Sequence, residues 1–447
     1  MEEASINPLA LLFLVAMCLV VLCASRHIAV CAVLVTAAFI PLGQQFVFAG
    51  LHLYFLRILI LAGVCRLLTR HEARGYKLET VDKLFVAWAM TGMICGILRG
   101  PSAETFGAVY DSLGVYFLIR ILTRDATDIL AHLKTLVVVS VAMAFCMAWE
   151  TLSHHNVFHV LGGVPEIASE RYERFRAQGP FRHAILAGTF GATLFPLMIG
   201  LWFNGGRFKR LAIAGAVSSL VITVSSASSG PLMSLLTSVL GMGLWSMRMR
   251  MHVVRRSILF LFIALALLMN APVWYLIGRV SELTGGTGWY RSFLIEQAIK
   301  HFGEWWLIGS SHTAHWSPWQ SNILAFDRGQ MDITNHYIVQ GLNGGVLMLS
   351  LFLAIIVNEL RIVGRTVRAR VELPIHERLV WGFGVALVSH CMAFISVSYF
   401  DQIRVFWFWL LAVIPALPLV AGSLSNPVPS NEPGPSVLGA PDQLAMP

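Results

Sequence analysis

Apolar runs follow one another along almost the whole chain with only short polar joints between them, and most are long enough to cross a bilayer. A spanning helix needs about 20 predominantly apolar residues. Such runs fit near Pro8 to Cys23, Ile28 to Ala49, Leu51 to Leu68, Leu84 to Leu98, Phe106 to Leu122, Thr135 to Leu152 and His183 to Phe203. Others fit near Leu211 to Val224, Pro231 to Met247, Ser257 to Ile277, Tyr337 to Val363, Leu379 to Tyr399 and Val405 to Ala421. A solvated surface cannot be built from 447 residues that are 57% hydrophobic and 13% charged. The expected fold is an all-α polytopic membrane protein of about 12–13 transmembrane helices with two long segments on one side.

These runs divide the chain into N-terminal helices (1–152), a first polar segment (153–182), central helices (183–278) and a second, larger polar segment (279–336). C-terminal helices (337–422) follow, and the Pro-, Ser-, Gly- and Asn-rich tail (423–447) is expected to be disordered. Charge tests the count, because a wrong number of crossings would scramble the alternation of basic loops. Of the 32 Lys and Arg, 21 fall on one expected side, ten on the other, and Arg57 within a helix. The basic side is the cytoplasmic one by the positive-inside rule, which leaves the two long segments outside, each carrying arginines. The serine hinge from Ser225 to Gly230 is either a broken helix pair or a re-entrant turn, and at that depth it must line protein or water.

Several function classes fall away. The net charge of +8 is spread over short loops, so nucleic-acid binding is a poor fit. All seven cysteines lie inside apolar runs, which implies neither a disulfide framework nor a cysteine metal site. His312 with His315, and His154 and His155 with His159, lack an adjacent Asp, Glu or Cys to complete a ligand set, so no metal or other cofactor is expected. Met1 to Ser5 has no basic region ahead of the first apolar run, which is expected to remain a membrane helix.

Within the first outer segment, Arg171 and Arg174 alternate with glutamates at a spacing that suits an amphipathic helix with exposed ion pairs. Arg176 and Arg182 differ, because Gly179-Pro180 breaks any helix between them and Arg182 stands at the mouth of the next membrane helix. Arginine forks beside a helix N-terminus suit a phosphate or diphosphate. In the second outer segment, which runs from Arg279 through Arg291 and Arg328, an amphipathic helix is expected from Ser292 to Phe302. Trp305, Trp306, Trp316 and Trp319 beyond it are either sugar-stacking rings or interface anchors. The segment closes on Asp332-Ile333-Thr334-Asn335-His336-Tyr337. His336 is a candidate general base oriented by Asp332, or an interfacial residue at a helix start that Asp332 or Asn335 caps.

Over roughly 176–345 these residues resemble the O-antigen ligase and O-antigen polymerase superfamily of bacterial envelope glycan assembly. Three pieces carry the resemblance: Arg176-Ala177-Gln178-Gly179-Pro180-Phe181 entering a membrane helix; Arg291 opening a helix that leads to Trp305-Trp306-Leu307-Ile308-Gly309; and Asn335-His336-Tyr337 followed by Gly341-Leu342-Asn343-Gly344-Gly345. The resemblance implies metal-independent glycosyl transfer from an undecaprenyl-diphosphate carrier to a glycan or lipid acceptor, at the periplasmic face of the bacterial inner membrane. Membrane lipids and other polysaccharide-assembly proteins would be its partners. It implies that Arg176 and Arg291 hold the diphosphate, with Arg182 added by its position, and that His336 is the base. The chain departs from the family in two places: Thr334 stands where strict alignment puts the histidine, and no arginine accompanies the serines at 225–229. These departures favour a polymerase over a ligase acting on lipid A core. A transporter or flippase of an anionic lipid-linked glycan is the rival class, expected to carry polar groups at mid-membrane depth, of which Arg57 and His390 are the candidates.

Overall fold

The computed structural model describes residues 7–41, 45–48, 51–171, 173–206, 208–282, 288–317, 325–326, 330–369 and 375–418. The tail, Arg328, Trp319 and the glycines at 285 and 286 lie outside the described residues. Among the described residues the protein is all-α apart from three short hairpins. Helices α1 (Pro8–Cys23) and α2 (Arg26–Phe39) precede the hairpin β1 (Gln45–Phe48) and β2 (Leu51–Tyr54). Then come α3 (Phe55–Thr69), α4 (Thr80–Arg99), α5 (Ala103–Leu122) and α6 (Ala126–Ser153). A second hairpin, β3 (Ser169–Arg171) and β4 (Arg174–Arg176), leads to α7 (Ala184–Trp202), α8 (Phe208–Ser225), α9 (Ser229–Gly243) and α10 (Met251–Leu268). The larger polar segment holds α11 (Tyr275–Glu282), α12 (Gly288–Lys300), α13 (Phe302–Trp305) and the strands β5 (Ala325–Phe326) and β6 (Gln330–Met331). The chain closes with α14 (His336–Arg368), α15 (Glu377–Ala393) and α16 (Gln402–Val413).

Each of the thirteen apolar runs contains a helix. Seven described helical stretches are long and apolar enough to cross a membrane: α4, α5, α6, α7, α8, the stretch Ser229–Leu268 and α14. Sidedness of hydrophobicity decides where each one sits. Helix α16 reads Val405-Phe406-Trp407-Phe408-Trp409-Leu410, apolar all round, and such a helix belongs at the centre. Every one of its residues but Arg404 is buried. Helix α10 has no buried residue and exposes Phe260, Leu267 and Leu268, a surface suited to hydrocarbon.

Three local expectations are corrected. The run Ile28 to Ala49 ends as a helix at Phe39 and turns into the β1–β2 hairpin. The basic stretch 248–256, expected as a loop, is helical: a 3-10 turn (Leu244–Arg250) runs straight into α10, and no Gly or Pro interrupts it. The amphipathic helix expected around Arg171 is the β3–β4 hairpin, with Glu170 opposite Phe175 and Glu173 at φ 58° in the turn. Ion pairs worth a few tenths of a kcal/mol each do not repay nucleation of so short a helix.

Helix α14 is broken at Gly344 (φ −165°, ψ 29°) and Gly345 (φ 67°, ψ −167°), so that His336 to Asn343 form a separate short piece. The chain at Trp306 and Leu307 fills the gap. Its Trp306 carbonyl accepts from Val346 N–H (2.8 Å), while Ser310 N–H donates to the freed Leu342 carbonyl (2.9 Å). Arg99 donates to Leu342 and Asn343 carbonyls, the latter at 2.9 Å. A Cβ at position 345 would collide with the Trp306 and Leu307 carbonyls, and its positive φ favours glycine independently.

Candidate functional site

The segment from Arg176 to Phe181 is held by three parts of the bundle and by Asn156 of its own polar segment. Ala177 N–H donates to Ser225 O (3.0 Å), and Arg176 Nη2 donates to Ser228 Oγ (2.7 Å) at the α8–α9 turn. The serine hinge is thus a helix–helix turn, and although it has no arginine of its own it receives Arg176. Glu150, buried near the end of α6, accepts Gln178 N–H on Oε1 (3.0 Å) and Gly179 N–H on Oε2 (2.8 Å). Asn156 donates to Gly179 O (2.8 Å), and Gln402, at the start of α16, donates to Pro180 O (2.6 Å).

Two arginines are buried here. Arg176 and Arg291 are each 7% exposed, each has an Nε without a hydrogen-bond partner, and neither is paired with a carboxylate among the described residues. Burial holds both guanidinium groups below the ordinary arginine range, Arg291 at about 10, and Arg171 lowers both further. One residue, Arg171, therefore lies within electrostatic reach of both. His183, whose Nδ1 accepts Ile185 N–H (3.2 Å) and caps α7, is pushed down to about 4 by desolvation and then by Arg176 and Arg171. The result is a concentration of positive charge assembled from both polar segments. Arg182 points elsewhere: its side chain is 75% exposed and stands 4.0 Å from Asp401.

A cavity of about 760 Å³ is lined by Trp88, Arg99, Glu104, Asp332, His336 and Arg404 among others, and neither Arg176 nor Arg291 is part of its lining. Tyr290, the neighbour of Arg291, donates its hydroxyl to Asp332 O (2.6 Å) and so ties the two regions together. Arg404 Nη2 donates to Ser112 Oγ (3.0 Å). Aromatic walls come from Trp88, Phe352, Tyr399, Trp407 and Phe408. Trp305 and Trp316 are core residues, 8% and 1% exposed, which removes them as sugar platforms; Trp306 is 48% exposed.

His336 sits at the first position of α14, 8% exposed. Its Nδ1 accepts Tyr399 N–H (3.1 Å), which puts the proton of the neutral ring on Nε2. Nε2 lies 3.1 Å from the Gln340 amide, and Trp88 Nε1–H claims the Gln340 oxygen at 2.8 Å. Donors close this chain at both ends, while Gln340 and His336 each offer one donor and one acceptor along it. One acceptor is missing, and an oxygen entering from the cavity would supply it. The orienting partners of His336 are thus Tyr399 and Gln340 rather than Asp332. Asn335 caps α14, accepting Tyr337 N–H (3.0 Å) and Ile338 N–H (3.2 Å). Asp332 opens onto the cavity, and the protein around it raises its carboxyl above the ordinary aspartate range by desolvation.

Sequence reasoning missed Glu150, Ser228, Arg99, Gln340, Tyr399 and Arg404. Arg99 and Arg404 carried a signal, since both count among the ten basic residues on the disfavoured side. No model of a known protein family matches the chain, and no curated protein matches it.

Proposed function

We propose that the protein is a membrane glycosyltransferase of the O-antigen ligase and polymerase type. It moves or polymerises a glycan from an undecaprenyl-diphosphate carrier at the periplasmic face of the bacterial inner membrane. The observation that carries this reading is the pair of buried arginines, Arg176 and Arg291, without carboxylate partners among the described residues. A buried cation lacking a counter-charge costs several kcal/mol, and a diphosphate relieves that cost through charge-assisted hydrogen bonds. Once its developing charge is held, diphosphate leaves readily. The cavity takes the acceptor glycan, with its aromatic walls against sugar faces. In this geometry His336 meets a substrate oxygen as a donor through Nε2–H, and Asp332 is the group placed to take the acceptor's proton. Polymerase is preferred over ligase because of the departures at Thr334 and the serine hinge.

The test is a strain lacking the gene, complemented with Arg176→Lys, Arg291→Lys or His336→Ala at matched protein level. Surface polysaccharide is read by gel and lipid-linked intermediates by mass spectrometry. Loss of polymer with accumulation of diphosphate-linked oligosaccharide is expected, since lysine keeps the charge but not the planar fork. Normal polymer from both lysine variants would sink the reading. Chain-length distribution in the wild type then separates polymerase from ligase.

One observation favours a transporter instead. Glu359 is fully buried in α14 with neither oxygen hydrogen-bonded, in electrostatic reach of Arg120, which pairs with Glu79 at 3.0 Å and Asp82 at 3.4 Å. Intramembrane carboxylates mark ion and proton paths. Under the transferase reading Glu359→Gln leaves polymer synthesis intact in folded protein; selective loss with an intact arginine cluster would favour transport.

A further inference from the structure

His301, Glu304 and His315 come together from three turns of the larger polar segment. His301 lies between α12 and α13, Glu304 in α13, and His315 in the 3-10 turn Ala314–Trp316. One ligand atom from each lies within 4.8 Å of the other two. His301 Nδ1 is 2.7 Å from Glu304 Oε1, and His315 Nε2 is 2.9 Å from Glu304 Oε2. We propose that these three residues form a site for a divalent transition ion, Zn2+ foremost, with the fourth position open to solvent.

The donor chemistry fits. Two imidazoles and a carboxylate are a zinc ligand set, and a tetrahedral ion with N and O ligands at about 2.0–2.2 Å spaces them about 3.4 Å apart. Small rotations of partly exposed side chains reach that spacing. Neighbouring groups hold the ligands in place. Trp316 Nε1–H donates to Glu304 Oε2 (3.1 Å), and the buried Trp316 ring stacks on His301 with centroids 5.3 Å apart at 14°. Sequence reading set His315 aside for want of a carboxylate; the fold brings one from eleven residues upstream.

The position gives the ion a purpose. The chain between Glu304 and His315 contains the Trp306 and Leu307 carbonyls that meet the break in α14, and Ser310, Ser311 and Thr313, which line the cavity. A bound ion would clasp both ends of that wall. This is a structural and positioning role away from the reacting atoms, so it stands or falls separately from the proposed transfer reaction.

The test uses the full chain in detergent, stripped with EDTA and exposed to Co2+ or Zn2+. Metal per chain is measured after gel filtration, and the visible spectrum of the Co2+ form is recorded. One ion per chain is expected, with the intense d–d absorption of a tetrahedral site, displaced by Zn2+ and accompanied by slower hydrogen exchange over residues 301–317. His315→Gln and Glu304→Gln should each lose at least about tenfold in affinity, while His312→Gln keeps it. Wild type that retains no more metal than His315→Gln, or a Co2+ spectrum unchanged by both variants, overturns the site. The wild-type spectrum and exchange decide the matter even if a variant fails to fold.

Discussion

Replacing Glu150 by glutamine should loosen the Arg176 segment without changing any group that faces a ligand. Both carboxylate oxygens accept backbone amides, Gln178 N–H at 3.0 Å and Gly179 N–H at 2.8 Å. A carboxylate does this; an amide offers one oxygen and presents an NH2 group to the second donor. One charge-assisted bond is lost and one buried donor is left facing a donor, which costs about 1.5–3 kcal/mol. That is roughly a 10- to 150-fold shift toward opening of the turn. The remaining anchors, Ala177 to Ser225, Asn156 to Gly179 and Gln402 to Pro180, limit the damage to this turn. Hydrogen exchange by mass spectrometry on peptides covering 174–182 reads the opening directly, with peptides of α6 and α7 as internal controls. Exchange in the turn should quicken by that factor while the helices hold. If the turn exchanges within about twofold of wild type, Glu150 is not what holds Arg176 in place, and the reasoning fails.

His336→Gln keeps an N–H donor in place of Nε2–H, so it should retain clearly more transfer activity than His336→Ala, measured as polymer formed per unit protein; equal loss would point to a base role instead. Asp332→Asn should abolish turnover, by about two to four orders of magnitude as loss of a general base does, with carrier binding kept. Gly345→Ala forces a side chain into a left-handed backbone against two carbonyls, and should lower stability by about 1–3 kcal/mol in denaturant unfolding. His183 has a folded pKa of about 4 against an ordinary 6.5, so the unfolded chain binds its proton first as pH falls. Stability should drop between about 6.5 and about 4 and should drop less in His183→Asn, which still caps α7 but does not titrate; identical pH slopes would exclude this residue as the source.

The helices were legible because a run of apolar residues has one stable solution in hydrocarbon, a helix that satisfies its own backbone. Arg176 and Arg291 stood out for a related reason, since arginines expected on the side the charge rule disfavours are costly unless used. What could not be read was contact between distant segments. Glu150 stands at the end of an apolar run, where a glutamate also serves as an ordinary interfacial residue, and only the fold shows two amides converging on it. Asp332 lies four residues from His336 and seemed its natural partner, yet the ring's bonds run to Tyr399, 63 residues on, and to Gln340, one helical turn away. The β3–β4 hairpin defeated the helix pattern because charge periodicity without an apolar face specifies no packing.

The two buried arginines are carried on different parts of the fold, and that difference bears on how the proposed transfer would proceed. The Arg176 segment is pinned to α6, the α8–α9 turn and α16, three parts of the bundle itself, so one arginine is set by the membrane-spanning core. Arg291 belongs to the segment between α10 and α14, which meets the break in α14 through the Trp306 carbonyl and Ser310 N–H and is tied within itself by Tyr290 on Asp332. Under the proposed reading, a diphosphate held by Arg176 and Arg291 would join an arginine fastened to the helices to one carried on the larger polar segment. Because Tyr290 follows Arg291 and donates to the Asp332 carbonyl, the proposed reading puts an arginine for the donor and a base for the acceptor on one connected segment, so that donor binding would bear on activation of the acceptor.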